Sequence, residues 1–331
     1  MKKTFQIFIV LFLVIAVSPV AEAAWIWSPD IGKWINPKKS AKDTPEDQFA
    51  WGLRFFEMKD WDRAIEEFEK LPEVFPNSRL AAEGVYYAGL SWEEKGNTAK
   101  AADAYQKLIN KYPYSDRIKD AIRQEYEIAN EFASGGKIKV LGVPALPGQE
   151  KALELYRHIV KNAPYGTYGD QAQYMMGEVY KKQGEFEEAQ KAYQSVVDEY
   201  PNSELVTKAK YQIAYCSMQA SKQSQYSDDS AQRAIEEFQD FKETFPADQK
   251  SVEADESIKA LRAKKAKTAF DVAAFYEDRK KWNSAKVYYQ EVVTKYPETP
   301  SAKEAKKRIN EILKKEGYAP SSKSWWKVWG K

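Results

Sequence analysis

Residues 64–78 read AIEEFEKLPEVFPNS, and residues 189–203 read AQKAYQSVVDEYPNS. Both follow one frame: an alanine, an aromatic ring four residues later, and a proline eight residues after the ring. The frame occurs six times. Its prolines are Pro76, Pro113, Pro164, Pro201, Pro246 and Pro297. Its alanines are Ala64, Ala101, Ala152, Ala189, Ala234 and Ala285, and its rings are Phe68, Tyr105, Tyr156, Tyr193, Phe238 and Tyr289. Successive prolines are 37, 51, 37, 45 and 51 residues apart. Self-similarity of this kind marks a row of repeated supersecondary units.

The spacing fixes the unit. Residues four apart share one helix face, so alanine and ring point the same way. Proline lacks an N–H and disfavours helix in the residue before it, so it ends that helix. Twenty-four residues before the proline stand Gly52, Gly89 and Gly177, with Ala273 in the last unit. A small residue there lets a preceding helix lie close against the alanine and ring. Each unit therefore reads as a helical hairpin, and the frame resembles the tetratricopeptide consensus, whose period is about 34 residues. The expected fold is all-α: a tetratricopeptide-like superhelical solenoid of about six helical hairpins, each packed on its neighbours.

Lys95-Gly96-Asn97 and Gln183-Gly184-Glu185 are expected to turn one helix into the next through a left-handed glycine. Two hairpins carry insertions, SGGKIKVLGVPALPGQ (134–149) and SKQSQYSDDS (221–230), both read as loops. One unbroken helix is expected from about Val252 to Asp278, and a Lys-rich helix to about Lys315.

Composition bounds the function. The chain has 51 Lys and Arg against 49 Asp and Glu, a net charge of +2, so nucleic acid is not an expected partner. Aromatic residues reach 14%, high for a polar chain, so the rings must fill a core or line a binding surface. The single cysteine, Cys216, rules out an internal disulfide; it reads as a small core residue, against a reactive thiol. Lys2 and Lys3, the apolar run Ile7–Val17 and Ala21-Glu22-Ala23 read as an export signal over residues 1–23, cleaved after Ala23 or kept as an anchor. The expected layout continues with a linker (24–44), two front hairpins (45–115), the main array (116–316) and a Trp/Lys-rich tail (317–331).

The segment from about Glu150 to Gly317 resembles BamD-type outer-membrane assembly lipoproteins. The likeness rests on APYGTYGDQAQ (163–173), on the split hairpin ending DDSAQRAIEEFQDFKETFP (228–246), and on VAAFYEDRKKWNSAKVYYQEVVTKYPETPSAKEA (272–305). The resemblance implies a scaffold at the inner face of the outer membrane that contacts the periplasmic domains of a barrel insertase and receives unfolded outer-membrane proteins. Members carry a lipidated cysteine at the signal cleavage site. No cysteine precedes Cys216 here, so no lipid anchor is expected, and the front hairpins are additional. A periplasmic adaptor for cell division, for the Tol-Pal system or for export remains the alternative.

Candidate binding residues follow from the frame. Phe49, Tyr86, Tyr174, Tyr211 and Phe270 recur at one position of the first helices, with Arg123 breaking the series. They form either an aromatic row for an extended peptide or packing between hairpins. Phe56 and Glu178 lie nearby on the same expected face. In the tail, Trp325, Trp326 and Trp329 alternate with lysines, a pattern suited to a membrane interface, a partner, or the chain's own last hairpin. Trp25, Trp27 and Trp34 could act likewise. No cofactor or metal site and no catalytic constellation is legible. His158 reads as a half-buried filler. Glu256-Ser257 resembles the catalytic pair of lytic transglycosylases, but stands inside a helix without a domain to desolvate the acid.

Overall fold

The computed structural model describes residues 26–28, 33–35, 40–140, 143–223 and 227–316. The chain divides into two compact units, residues 1–96 and 97–331. The first holds a short antiparallel hairpin, β1 (Ile26–Ser28) and β2 (Lys33–Ile35), with Trp27 in register with Trp34. The stretch read as a linker is thus partly strand. Three helices follow: α1 (Pro45–Glu57), α2 (Trp61–Val74) and α3 (Arg79–Glu94). Phe68, Leu71, Ala64 and Ala88 form their buried centre.

The second unit begins with α4 (Thr98–Lys111) and α5 (Ile118–Ala133). The hairpin β3 (Lys137–Val140) and β4 (Val143–Pro147) comes next, then α6 (Gln149–Asn162), α7 (Gly169–Gln183) and α8 (Phe186–Glu199). It ends with α9 (Leu205–Gln223), α10 (Ser227–Thr244), α11 (Lys250–Asp278), α12 (Trp282–Lys295) and α13 (Pro300–Lys315). Within each unit every helix packs on the next in sequence, the contact pattern of a solenoid.

The Ala-ring-Pro frame explains this arrangement atom by atom. All six frame alanines and all six rings are fully buried. The residue before five of the six prolines leaves the helix: Phe75, Tyr112, Ala163, Tyr200 and Tyr296 have φ from −121° to −140° and ψ near 50°. Proline disfavours the α region for its predecessor, and these residues stand outside that region. The small residues are equally constrained. A Cβ on Gly52 would lie 2.7 Å from the Phe68 ring, and one on Gly177 would lie 2.5 Å from the Tyr193 ring.

The turns between first and second helices share a left-handed residue seventeen before the proline. Gly96 (φ 76°) and Gly184 (φ 80°) fill it as expected; Lys59 and Lys280, both at φ 58°, fill it in two other hairpins. The helix expected from Val252 runs from Lys250, and it serves two cores. Its first half (Ala254, Ile258, Leu261) joins Phe238 and Phe241, while its second half (Ala266, Ala273) joins Tyr289 and the α13 residues Ala302 and Ala305.

Both loop expectations need correction. Residues 134–149 contain the β3–β4 ribbon, because Lys-Ile-Lys-Val alternates with a strand's period of two and pairs Ile138 with Leu146. Most of 221–230 is helix: α9 runs on to Gln223 and α10 starts at Ser227. Asp229 near that helix start suits its dipole.

Candidate functional site: a cavity between first helices

Four of the five rings at the expected aromatic row pack onto the frame ring of their own hairpin. Ring centroids are 5.7 Å apart for Phe49 and Phe68, 5.2 Å for Tyr174 and Tyr193, 5.8 Å for Tyr211 and Phe238, and 5.1 Å for Phe270 and Tyr289. Tyr86 and Tyr211 are buried, and Phe49, Tyr174 and Phe270 are half-buried. Phe56 joins the same packing through Trp61, Phe68 and Tyr87. Arg123 stands on the surface, 3.5 Å from Asp120. The ring of that hairpin is Tyr126, three residues later, 6.0 Å from Tyr156 and stacked on Tyr168 at 4.8 Å. Counting from Pro113 missed it, because α5 enters its packed stretch three residues later than α7 or α9 does. The row is therefore unbroken in the second unit from α5 to α11.

One helical turn beyond that row, a cavity of about 510 Å³ opens between α5, α7 and α9. Asn130, Glu178 and Tyr215, each four residues past a row ring, all line it. Residues four apart are neighbours on a helix surface, so three first helices present equivalent positions to one space. Met175, Val179, Phe186 and Tyr215 supply apolar walls; Ala133, Ser134 and Gln219 complete them with Lys181 and Lys182. Glu178, foreseen on this face, is a wall residue. Tyr174 is not, although its neighbour Met175 is.

The polar groups of the cavity are held in place. Asn130 Oδ1 accepts from the Tyr156 hydroxyl at 2.6 Å. Glu178 Oε1 accepts from the Tyr193 hydroxyl at 2.6 Å and from Lys181 Nζ at 2.7 Å. Lys181 Nζ also donates to Gln212 of α9 at 3.2 Å, and Lys182 Nζ donates to the Ala133 carbonyl of α5 at 3.2 Å. The two lysines thus tie α7 to its neighbours on either side. Burial, reinforced by Glu178, raises the Tyr193 and Tyr174 hydroxyls above the ordinary phenol range, so both remain donors. A largely apolar cleft with a few fixed polar groups is the general form of a ligand site.

Elsewhere the chemistry is structural. Cys216 is fully buried, and burial pushes its thiol up to about 12. His158 is not a filler. Its Nδ1 lies 2.9 Å from fully buried Glu125 and its Nε2 3.2 Å from Asn110, joining α4, α5 and α6. Glu256 is exposed on α11, so nothing desolvates it for acid catalysis. No metal-binding cluster occurs among the described residues. Among them, too, no helix is long and apolar enough to cross a membrane. Trp25, Trp325, Trp326 and Trp329 lie outside the described residues.

Stacked helical hairpins with a shared cavity on the first helices define a tetratricopeptide-repeat scaffold for protein–protein interaction. Residues 49–116 match the tetratricopeptide repeat family. Residues 149–324, more than half of the chain, match the family described as YfiO, outer membrane lipoprotein. The chain belongs to this BamD-like family. No curated protein matches it. Among solved structures it is similar to MamA (41-end) from Desulfovibrio magneticus RS-1, with 16% identity over 63% of this chain and 99% of that one, at a TM-score of 0.32. It is also similar to TTC0263, a thermophilic tetratricopeptide protein of Thermus thermophilus, with 14% identity over 65% and 99%, at 0.31.

Proposed function

We propose that the chain is an exported, periplasmic scaffold of outer-membrane β-barrel assembly, and that its α5–α7–α9 cavity holds an extended segment of a partner or of unfolded polypeptide. The observation that carries this reading is the cavity itself: three consecutive first helices turn equivalent positions into one apolar space with a fixed polar floor. An extended chain offers alternate side chains to such a cleft at regular spacing. Family membership supplies the setting, an outer-membrane lipoprotein family. The partners this reading names are the periplasmic domains of a barrel insertase and unfolded outer-membrane proteins. On this reading residues 1–23 direct export, 45–115 add two hairpins to the scaffold, and 116–316 form the family-like array.

The test has two arms. Pull-down from envelope extracts with the full chain should recover a barrel insertase; recovery of division or peptidoglycan proteins alone would move the chain to the adaptor reading. A labelled peptide from an outer-membrane barrel strand should bind the full chain, and Tyr215→Ala should weaken binding about tenfold at a temperature where the variant is still folded. Unchanged affinity in Tyr215→Ala and Met175→Ala would remove the cavity from the binding surface.

A further inference from the structure

The β3–β4 ribbon is a sheet of two strands, so each strand keeps one edge outside the pair. A free edge offers its N–H and C=O groups to any further strand. The register fixes which residues do so. Val140 pairs with Val143 with two residues between them, and such a closing pair exchanges both of its hydrogen bonds. At the other end of the ribbon, Gly148 N–H donates to the Gly136 carbonyl at 3.1 Å. The two ends give one alternation: Ile138 and Val140 bond inward to β4, while Lys137 and Lys139 turn their backbone groups outward.

The two edges are not alike. On β4 the outward positions are Pro144 and Pro147, the partners of Lys139 and Lys137. Proline has no N–H, so this edge donates at neither place, and the bulge between the two prolines breaks its spacing. β3 contains no proline. Its outward positions keep donor and acceptor, enough for about four hydrogen bonds to one added strand. α4 lies beside β3, yet no backbone hydrogen bond joins the two among the described residues, and Lys137 is exposed. One edge of the ribbon is closed by its sequence and the other is open.

Charge decides the occupant. From Gly135 to Gln149 the chain carries Lys137 and Lys139 and no carboxylate. A second copy added edge to edge would set lysine opposite lysine, which is unfavourable; a foreign strand with carboxylates at those positions would be attracted. Residues alternate between the two faces of a strand, so the neighbours of such carboxylates meet the other face. There Ile138 is half-buried and its cross-strand partner Leu146 is exposed. We infer that the β3 edge takes up, by antiparallel strand addition, an extended segment of a partner protein in which acidic and apolar residues alternate. No residue lining the α5–α7–α9 cavity lies on β3, and the inference does not rest on that cavity.

The probe is a labelled peptide of alternating valine and glutamate, titrated against the full chain and followed by fluorescence anisotropy. Saturable binding tighter than about 1 mM is expected. Amide exchange of the bound chain should slow at Lys137 and Lys139 and stay unchanged at Ile138, which already bonds inward. In an added antiparallel strand the glutamates opposite the lysines also turn their N–H groups to the edge. Methylating the glutamate nitrogens should therefore weaken binding at least about tenfold, on unaltered protein. Lys139→Pro, which closes β3 as Pro144 closes β4, should do the same, and so should lysine in place of the peptide's glutamates. Tyr215→Ala should leave the affinity unchanged. No binding by the parent chain, equal binding of the methylated peptide, or no slowing at Lys137 and Lys139 overturns the inference. A loss in Tyr215→Ala would put the peptide in the cavity instead, and self-association of the chain that Lys139→Pro abolishes would make a second copy the occupant.

Discussion

Gly177→Ala tests the packing rule on which the fold rests. The added Cβ would lie 2.5 Å from Tyr193 Cε1 and 2.7 Å from Cδ1 and Cζ, against about 3.5–4.0 Å for an ordinary carbon contact. The ring must therefore retreat by roughly 1 Å. It has little freedom to do so, because Tyr193 is fully buried and its hydroxyl is held on Glu178 at 2.6 Å. Overpacking of this kind costs about 1–3 kcal/mol, while replacing glycine by alanine inside a helix returns about 1 kcal/mol. The expected net loss is about 1 kcal/mol, a fall of about 2–4 °C in a unit of this size. The array carries its own control. Ala273 holds the equivalent position opposite Tyr289 and is fully buried, so that hairpin accommodates a methyl group there. Thermal unfolding of Gly177→Ala, Tyr193→Leu and the double variant completes the measurement. In the Tyr193→Leu background the alanine should be neutral or stabilising, giving a coupling of about 1–2 kcal/mol. A raised melting temperature in Gly177→Ala alone, or an equal loss in both backgrounds, would refute the close-approach account.

Other outcomes follow from the same geometry. Glu277 is almost fully buried and takes hydrogen bonds from Arg308 at 2.8 and 3.0 Å and from the Tyr289 hydroxyl at 2.8 Å; Glu277→Ala should destabilise by about 3 kcal/mol and lower amide protection in α13, checked by denaturant titration and hydrogen exchange. Lys280→Gly should stabilise by about 0.5–1 kcal/mol, because Lys280 sits at φ 58° where Gly184 serves another hairpin; a loss of stability would show that the lysine side chain outweighs the backbone strain. Burial raises the Glu125 carboxyl above 4.5, with the His158 hydrogen bond only partly opposing it. Its contribution to stability is thus present below the unfolded value and is lost as pH rises through the folded one, so Glu125→Gln should flatten the fall in stability above pH 4.5. Cys216 should resist alkylation at pH 8 in the native chain and react fully in guanidinium, as counted by mass spectrometry.

The local frame determined the hairpins. An alanine and a ring four apart, a small residue before them and a proline after them act over a single helix pair. Their consequences (one shared face, one close crossing, one obligatory stop) need no knowledge of distant residues. That is why the six frame alanines and rings could be placed in the core from the sequence, and why the helix through Val252–Asp278 was legible. Insertions resisted the same reading. A short strand pair such as β3–β4 depends on cross-strand pairing, and Gly and Pro within it read as loop signals when the partner strand is not considered.

The cavity belongs to the tertiary structure. The row from Phe49 to Phe270 was found by counting from prolines, and that count says which residues share a helix position, not which way the position faces. Stacking α5, α7 and α9 turned the row rings onto Tyr156, Tyr193 and Phe238, and left Asn130, Glu178 and Tyr215, one turn further, to line the open space. A three-residue offset in α5, invisible to the proline spacing, decided that Tyr126 and not Arg123 continues the series. The sequence thus determined the repeated unit, because its forces are local to a hairpin. Which residues line the cavity depended on the rotation of each helix against its neighbours, which only the packing of successive hairpins decided.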